Sequence, residues 1–161
     1  MLFRSSIRDD VFGTFKTNPA WRLEGLPNKN IFHTDLIVGS NVQEILDAIK
    51  PKTVYNCLAY GAYSFEHDPE LIYKTNFNIT VQLLYTLNKM NIASYVHAGS
   101  SSEYGDNCIA PLENEQLIPN SNYSVSKISS AFLVSYYGTK KKMPCINLRL
   151  YSVYGPLEDS S

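Results

Sequence analysis

The order of apolar segments most constrains how this 161-residue chain can fold. Helical patterns and short β-rich runs alternate along it, in the order helix 42–49, strand 53–59, helix 68–90, strand 93–100, helix 123–141 and strand 144–151. Strands that alternate with helices of this length favour a parallel sheet, because each crossover helix returns the chain to the same end of the sheet. The predicted fold class is therefore α/β, with a doubly wound parallel sheet.

The helix after residue 67 carries the clearest local signal. Asp68 is a good N-cap residue, Pro69 suits the first helical position, and Glu70 complements the helix dipole. The first 40 residues are less regular, and a short strand is predicted to end near Phe3 and another to lie within residues 30–35. No composition shift or internal repeat marks a second domain, so one domain spanning the chain is expected.

Composition excludes several classes of function. A net charge of −1 and a pI of about 6.3 give no basic surface for a nucleic acid. No apolar run of about 18 residues and no signal peptide is visible, so no membrane partner is predicted and the expected compartment is the cytoplasm. His33, His67 and His97 lack metal-ligand spacing, and the three cysteines form no CxxC motif, so no metal site is predicted.

Three predicted strands end in small or hydroxyl-bearing residues, at 59–62, 100–105 and 151–156. Ligands of open parallel sheets bind beyond the carboxyl ends of the strands, so these three segments are candidates for a common site. Ordinary turn chemistry also accounts for glycine and serine at such positions, and composition alone does not separate the two interpretations.

Tyr123 and Lys127 lie four residues apart and therefore share one face of a helix. A neighbouring ammonium favours the phenolate and would lower the pKa of the tyrosine, while a serine hydroxyl could share its proton. The spacing alone is weak, because three other pairs repeat it: Tyr85/Lys89, Tyr136/Lys140 and Tyr137/Lys141. What distinguishes Tyr123 is its position, at a helix start 23 residues after Ser100.

The segments AGSSSEYGD, YSVSK and LRLYSVYGP occur in an order and spacing that resemble the extended short-chain dehydrogenase/reductase family. More narrowly, they resemble its NAD-dependent epimerase/dehydratase group acting on nucleotide sugars, and VYNCLAYGAYSFEHDPELIYKTN is similar to the middle strand and following helix of that group. The resemblance implies that residues 1–161 form a partial Rossmann-like domain that binds NAD or NADP. It also implies a nucleotide-sugar substrate and a possible homodimer through the helix that carries Tyr123.

The resemblance assigns roles by matching position. Ser100, Tyr123 and Lys127 correspond to the catalytic residues: the hydroxyl on the reacting sugar oxygen, the acid/base, and the cation that assists it. The positions implied for the cofactor are Asp35, Leu36, Leu58, Ala59, Tyr60, Tyr123, Lys127, Tyr151 and Val153. The positions implied for the substrate are Ser101, Ser102 and Ser152. Asn76 matches a helix residue that supports the active-site backbone.

Two departures from the family pattern bear on the chemistry. Relatives that eliminate water resemble one another in a Thr-Asp-Glu sequence, where an ungapped alignment places Ser100, Ser101 and Ser102. Elimination needs a stronger acid and base than serine, which favours an epimerase or a keto-sugar reductase. A one-residue gap would instead make Ser101 the catalytic hydroxyl and place Glu103 at the carboxylate position, so a 4,6-dehydratase stays an alternative.

The second departure concerns the cofactor's pyrophosphate. Relatives begin with a strand and a GxxGxxG turn, whose backbone approaches the pyrophosphate at a helix N-terminus. The glycines Gly13, Gly25 and Gly39 are isolated in this sequence. The expectation is therefore a central fragment of an NAD(P)-dependent enzyme, with a catalytically inactive truncated product, limited to an interaction role, as the alternative.

Overall fold

The computed structural model describes residues 10–16, 23, 25–38 and 41–153. Its strands are β1 (Gly13–Phe15), β2 (Ile31–His33), β3 (Thr53–Asn56), β4 (Ser94–Ser100) and β5 (Cys145–Leu150). Its α-helices are α1 (Asn41–Ile49), α2 (Pro69–Tyr73), α3 (Ile79–Leu87) and α4 (Asn122–Lys140). Within these ranges, no helix combines the length and the apolar character needed to cross a membrane. The strand predicted near Phe3 lies outside the described residues.

Strands β3, β4 and β5 form a parallel sheet in that order, which confirms the predicted α/β class. Val54 pairs with Tyr95, and Tyr95 pairs with Cys145, so the three strands share one register and one direction. Strand β3 ends at Asn56, three residues earlier than predicted, while β4 and β5 lie within one residue of the predicted bounds.

A second parallel pair, β1 with β2, lies in the less regular first part of the chain. Strand β2 falls within the strand predicted at 30–35, whereas β1 occupies a segment that has no predicted element. At Gly13, an added Cβ would lie 3.0 Å from a methyl carbon of Leu23, so the absent side chain lets Leu23 pack against the strand. A three-residue strand defined by such pairing carries too little periodicity to predict from sequence.

The core lies on one face of the β3–β4–β5 sheet. Leu84 and Leu87 of α3 and Tyr95 of β4 are completely buried there, and α1 and α4 contribute to the same cluster. The opposite face of the described sheet is more open, with the apolar side chains of Tyr55, Ile146, Leu148 and Leu150 39–52% exposed. The described helices therefore all pack against the face that carries Tyr95.

A π-helical segment, Lys74–Asn78, joins α2 to α3 and makes them one continuous helix, as predicted from residue 68 onward. Asp68 caps it as expected, because its carboxylate accepts hydrogen bonds from the backbone N–H groups of Glu70 and Leu71. A π turn shifts side chains relative to a regular helix and often lies at functional sites. Here it contains Asn76, which is 1% exposed.

His97 of β4 is part of a buried polar cluster. The Asn56 amide lies 3.3 Å from Nδ1 of His97 and donates to the hydroxyls of Tyr95 and Thr80, at 3.0 and 3.2 Å. The His97 side chain is 1% exposed, and burial, assisted by the charge of Lys127, lowers its pKa to about 3. A protonated ring would turn its Nδ1 into a second donor facing the Asn56 amide, so the cluster requires neutral histidine.

This cluster predicts an acid-sensitive stability. Because the pKa of His97 is near 6.5 unfolded and about 3 folded, its contribution is complete above pH 6.5 and is lost as pH falls toward 3. Between pH 6.5 and 4.5 we expect His97 to account for roughly 2–3 kcal/mol of lost unfolding free energy. Urea denaturation at both pH values should show a correspondingly smaller loss for His97→Phe. The exposed His67, changed to Phe, is the control, and equal losses in all three chains would contradict the prediction.

Candidate active site

The carboxyl ends of β3, β4 and β5 bring the predicted strand-end residues to one edge of the sheet. Ser100 is the last residue of β4 and pairs with Leu150, the last residue of β5. Leu58 and Ala59 follow the end of β3 at the same edge, and the 3₁₀ turn Ser101–Tyr104 follows Ser100 directly. The edge therefore collects three of the segments that the sequence singles out.

Helix α4 directs Tyr123 at Ser100. The helix starts at Asn122, after Ser121 caps it by accepting a hydrogen bond from the N–H of Ser124. The Ser124 hydroxyl in turn donates to the carbonyl of Ser102 at 2.7 Å, which ties the helix start to the turn after β4. In this arrangement Tyr123 lies near Ser100, whose hydroxyl acts to lower the pKa of the phenol.

The pKa of Tyr123 is raised, the reverse of the lowering that the sequence predicts. Burial is the largest cause, and the negative charges of Glu103 and Glu66 act in the same direction, whereas the hydrogen bond with Ser100 lowers the pKa. In the structure as it stands, Tyr123 is a neutral phenol at neutral pH.

Lys127 is 1% exposed, and its ammonium donates to the carbonyl of Ala98 at 2.6 Å. Burial lowers its pKa, and the charge of Glu103 opposes that effect. An ammonium has three donors, and the described residues offer it this one acceptor. A buried cation with donors to spare fits a ligand that presents hydroxyl groups to it.

Asn76 holds the loop after β3 in place. Its amide oxygen accepts from the N–H of Tyr60, and its amide nitrogen donates to the carbonyl of Tyr60, both at 2.9 Å. The same nitrogen donates to Ser126 of α4, also at 2.9 Å. The side chain thus links three elements of the site, in keeping with the supporting position that the resemblance implies.

The turn after β4 carries the residues on which the two alignments considered from the sequence differ. Ser101 and Ser102 are half-buried, and the Ser102 N–H donates to the hydroxyl of Ser100 at 3.1 Å. Glu103 is completely buried and forms an ion pair with Arg149 at 2.8 Å. Ser100 is the serine whose hydroxyl acts on the pKa of Tyr123, and the carboxylate of Glu103 is engaged with protein groups.

The two positions that the resemblance assigns to the adenine end of the cofactor, Asp35 and Leu36, lie after β2. Asp35 pairs with Lys16 at 2.9 Å and accepts from the N–H of Ile37 at 3.0 Å, and Lys16 is the main cause of a lowered pKa for Asp35. Both charged residues line a cavity of about 590 Å³, while Leu36 packs against the core. Sequence reasoning missed Lys16, because nothing in the sequence pairs residue 16 with residue 35.

The remaining predicted positions are more open. Tyr60 is half-buried, and its backbone is hydrogen-bonded to Asn76. Tyr151 and Val153 are 57% and 70% exposed, and Ser152 is exposed. Tyr151, Ser152 and Val153 follow the end of β5, at the carboxyl edge of the sheet. Among the described residues, no three His, Cys, Asp or Glu side chains are grouped so that they could hold a metal ion.

The three other Tyr/Lys pairs lie away from this edge. Lys89 lies over the ring of Tyr85 at 3.9 Å, and that tyrosine is 58% exposed. Tyr136 is 46% exposed, and Lys140 and Lys141 lie in the last residues of α4 and just beyond it. Tyr137 is partly buried and packs against the core. The three pairs are therefore surface or packing residues of their helices.

Comparison with known proteins decides the family. The profile described as the NAD dependent epimerase/dehydratase family matches residues 10–161. The chain belongs to this family. Protein CapI of Staphylococcus aureus is 31% identical over 111 residues, which cover 66% of this chain and 33% of CapI. A Bacillus subtilis protein named as an uncharacterized UDP-glucose epimerase, YtcB, is 33% identical over 81 residues, or 50% of this chain and 26% of that protein.

Solved structures of nucleotide-sugar epimerases share the fold of this chain. The UDP-glucuronic acid 4-epimerase from Bacillus cereus in complex with NAD superposes with a TM-score of 0.75 at 25% identity, over 92% of this chain and 50% of that one. The UDP-glucose 4-epimerase of Thermotoga maritima gives 0.79 at 20% identity, over 98% and 53%. This epimerase/dehydratase-family chain therefore spans about half the length of these two enzymes, and its matches cover a third or less of CapI and YtcB.

The clamp made by Asn76 yields a direct test. Asn76→Asp keeps the shape and the oxygen that accepts from Tyr60, but it removes the donor to Tyr60 and Ser126. Losing two buried hydrogen bonds should lower the free energy of unfolding by about 2–4 kcal/mol and speed amide exchange at Tyr60. Urea denaturation and hydrogen exchange read out both effects. The exposed Asn78, changed to Asp, is the matched control, and a similar result for both variants would refute the role of Asn76.

Proposed function

We propose that this chain carries the hydride-transfer site of an NAD(P)-dependent nucleotide-sugar epimerase or keto-sugar reductase. The placement of Tyr123 beside Ser100 at the carboxyl edge of the sheet, where Ser124 ties the start of α4 to the turn after β4, is the observation that carries the proposal. It joins a proton donor to a hydroxyl that can bind the same sugar oxygen. The substrate class is supported by the relatives, whose names include a UDP-glucose epimerase and a UDP-glucuronic acid 4-epimerase.

The residues of the site fit a nicotinamide cofactor. Lys127 offers a buried ammonium with unused donors, which suits the hydroxyls of a ribose. The proposed contacts continue along the backbone after β3, at Leu58, Ala59 and Tyr60, and end at Asp35 and Leu36 near the adenine. Tyr151 and Val153 complete them at the nicotinamide end. When bound, the cofactor supplies the acceptor and donor of hydride.

The chain's own residues handle the proton. Ser100 would hold the reacting sugar oxygen, and Tyr123 would give it a proton when a ketone is reduced or take one when an alcohol is oxidised. The raised pKa of Tyr123 suits the donating direction, because the phenol is fully protonated at neutral pH. The accepting direction needs the phenolate, which the buried cation of Lys127, four residues further along the same helix, would stabilise.

Elimination of water fits the site less well. It needs a carboxylate that reaches the substrate, and Glu103 is completely buried with both oxygens engaged by protein donors. Ser101 and Ser102, which take the acid and base positions in an ungapped alignment, are weaker acids and bases than carboxyl groups. These observations favour an epimerase or reductase over the dehydratase alternative.

A homodimer through α4 accompanies this proposal. Val125, Phe132 and Tyr136 form an exposed apolar stripe on the helix at spacings of seven and four residues, and are 37%, 64% and 46% exposed. Tyr123 lies on the same helix, so a contact between the α4 helices of two copies would stabilise the helix that positions Tyr123. The nucleotide-sugar substrate and a second copy are the two partners proposed.

Binding and turnover test the function. The purified chain should bind NAD or NADP with a Kd on the order of micromolar by calorimetry. Tyr123→Phe should retain that binding and lower the rate of UDP-sugar epimerisation or reduction about 10²-fold or more, because the proton donor is gone. Tyr85→Phe removes a hydroxyl from a pair of the same spacing and should change neither. Absence of binding at millimolar cofactor would sink the proposal and favour an inactive product.

The dimer is tested separately. Phe132→Lys places a charge in the stripe on α4 and should convert a dimer to a monomer in sedimentation equilibrium. Phe65→Lys is the matched control, because that phenylalanine is 71% exposed on the loop after β3. A wild-type chain that sediments as a monomer at tens of micromolar, on the order of typical assay concentrations, would contradict the dimer.

A further inference from the structure

Glu103 is a completely buried carboxylate next to the candidate site, on the 3₁₀ turn that follows β4. Burying a carboxylate costs several kcal/mol unless it is paired and hydrogen-bonded, so its partners indicate what the charge is used for. Gly99 makes the space for it, since a Cβ at that residue would collide with Oε1 of Glu103.

One oxygen of Glu103 binds the backbone of the proposed catalytic serine. Oε1 accepts from the N–H of Ser100 at 3.0 Å, while the Ser100 hydroxyl accepts from the N–H of Ser102 at 3.1 Å. The two bonds form a capping box around the turn. They restrain Ser100 at its backbone and at its hydroxyl, and they leave the hydroxyl proton and a second lone pair for Tyr123.

The other oxygen is held by β5. Oε2 accepts from Nε of Arg149 at 2.8 Å, and the amide of Asn147 donates to both oxygens at 3.2 and 3.3 Å. Arg149 is itself fixed, because it donates to the hydroxyl of Tyr104 at 3.1 Å and to the carbonyl of Glu113 at 2.7 Å. Both oxygens of the Glu103 carboxylate are therefore held by protein donors.

We infer that Glu103 is a positioning residue, whose carboxylate links β5 to the backbone of Ser100 and so holds the serine hydroxyl against Tyr123. This inference rests on the proposed roles of Ser100 and Tyr123. Glu103 touches no group that would react. It acts through Ser100, and Arg149 and Asn147 act through Glu103.

The contact between Ser100 and Tyr123 can be followed without turnover. The full chain is prepared with 3-fluorotyrosine at position 123, and the ¹⁹F resonance is titrated to obtain the pKa of that phenol. Ser100→Ala should raise the pKa, because the serine hydrogen bond lowers it. Glu103→Asp keeps the charge but is one methylene too short to reach the Ser100 N–H, so it should raise the pKa to a similar extent.

The double variant gives the decisive comparison. If Glu103 acts by holding Ser100, adding Ser100→Ala to Glu103→Asp should raise the pKa no further. Additive shifts would overturn the inference, and so would a Glu103→Asp chain whose pKa at residue 123 equals that of the parent. Glu115→Asp, an exposed acid on the following loop, is the control and should have no effect.

Glu103→Gln is the second variant, in case Glu103→Asp does not fold. It keeps the length and an oxygen for the Ser100 N–H but loses the charge, so the pKa of residue 123 should fall while Ser100→Ala still raises it. A Glu103→Gln chain that is insensitive to Ser100→Ala would overturn the inference. Neither measurement uses cofactor or substrate, so failure of the proposed function and failure of this inference are told apart.

Discussion

The burial of the Lys127 ammonium is the constraint on which the site depends. A cation that is 1% exposed must be compensated, and here a 2.6 Å hydrogen bond to the carbonyl of Ala98 and the nearby charge of Glu103 do so. Both compensating groups belong to β4 or the turn after it. Helix α4 is therefore fixed against the strand at the point where Tyr123 must meet Ser100, and the position of the lysine determines the position of the tyrosine.

Buried hydrogen bonds among Asn76, Ser126 and Ser130 form a polar layer, which also fixes α4 but against the π-helical segment. Asn76 fixes the loop after β3 through Tyr60 and bonds to Ser126 of α4, and the Ser130 hydroxyl donates to the carbonyl of Asn76 at 2.9 Å. A purely apolar contact would tolerate sliding between α4 and the π-helical segment, whereas directional hydrogen bonds at low dielectric do not. The layer thereby holds two sides of the candidate edge at a fixed separation.

Sequence reasoning succeeded where one local pattern determines one element. Alternating apolar segments predicted β4, β5 and the helices, and the Asp68 cap was predicted from three adjacent residues. The meeting of Ser100 with Tyr123 was also within reach, because a strand end and the following helix start fix it. The ion pair of Asp35 with Lys16 and the raised pKa of Tyr123 were not, since both depend on burial and charges contributed by residues distant in sequence.

The four Tyr-x-x-x-Lys pairs show how one spacing yields different chemistry. The two residues of each pair are spaced to lie on one side of a helix. Such a pair can belong to an active site only where that side of the helix packs against the polar end of a strand. Tyr85 lies on the exposed surface of α3, where the ammonium of Lys89 lies over its ring and solvent screens the charge. Lys127 instead faces β4, where low dielectric strengthens every interaction of its charge. The same four-residue spacing therefore becomes a candidate catalytic pair through the position of its helix in the fold.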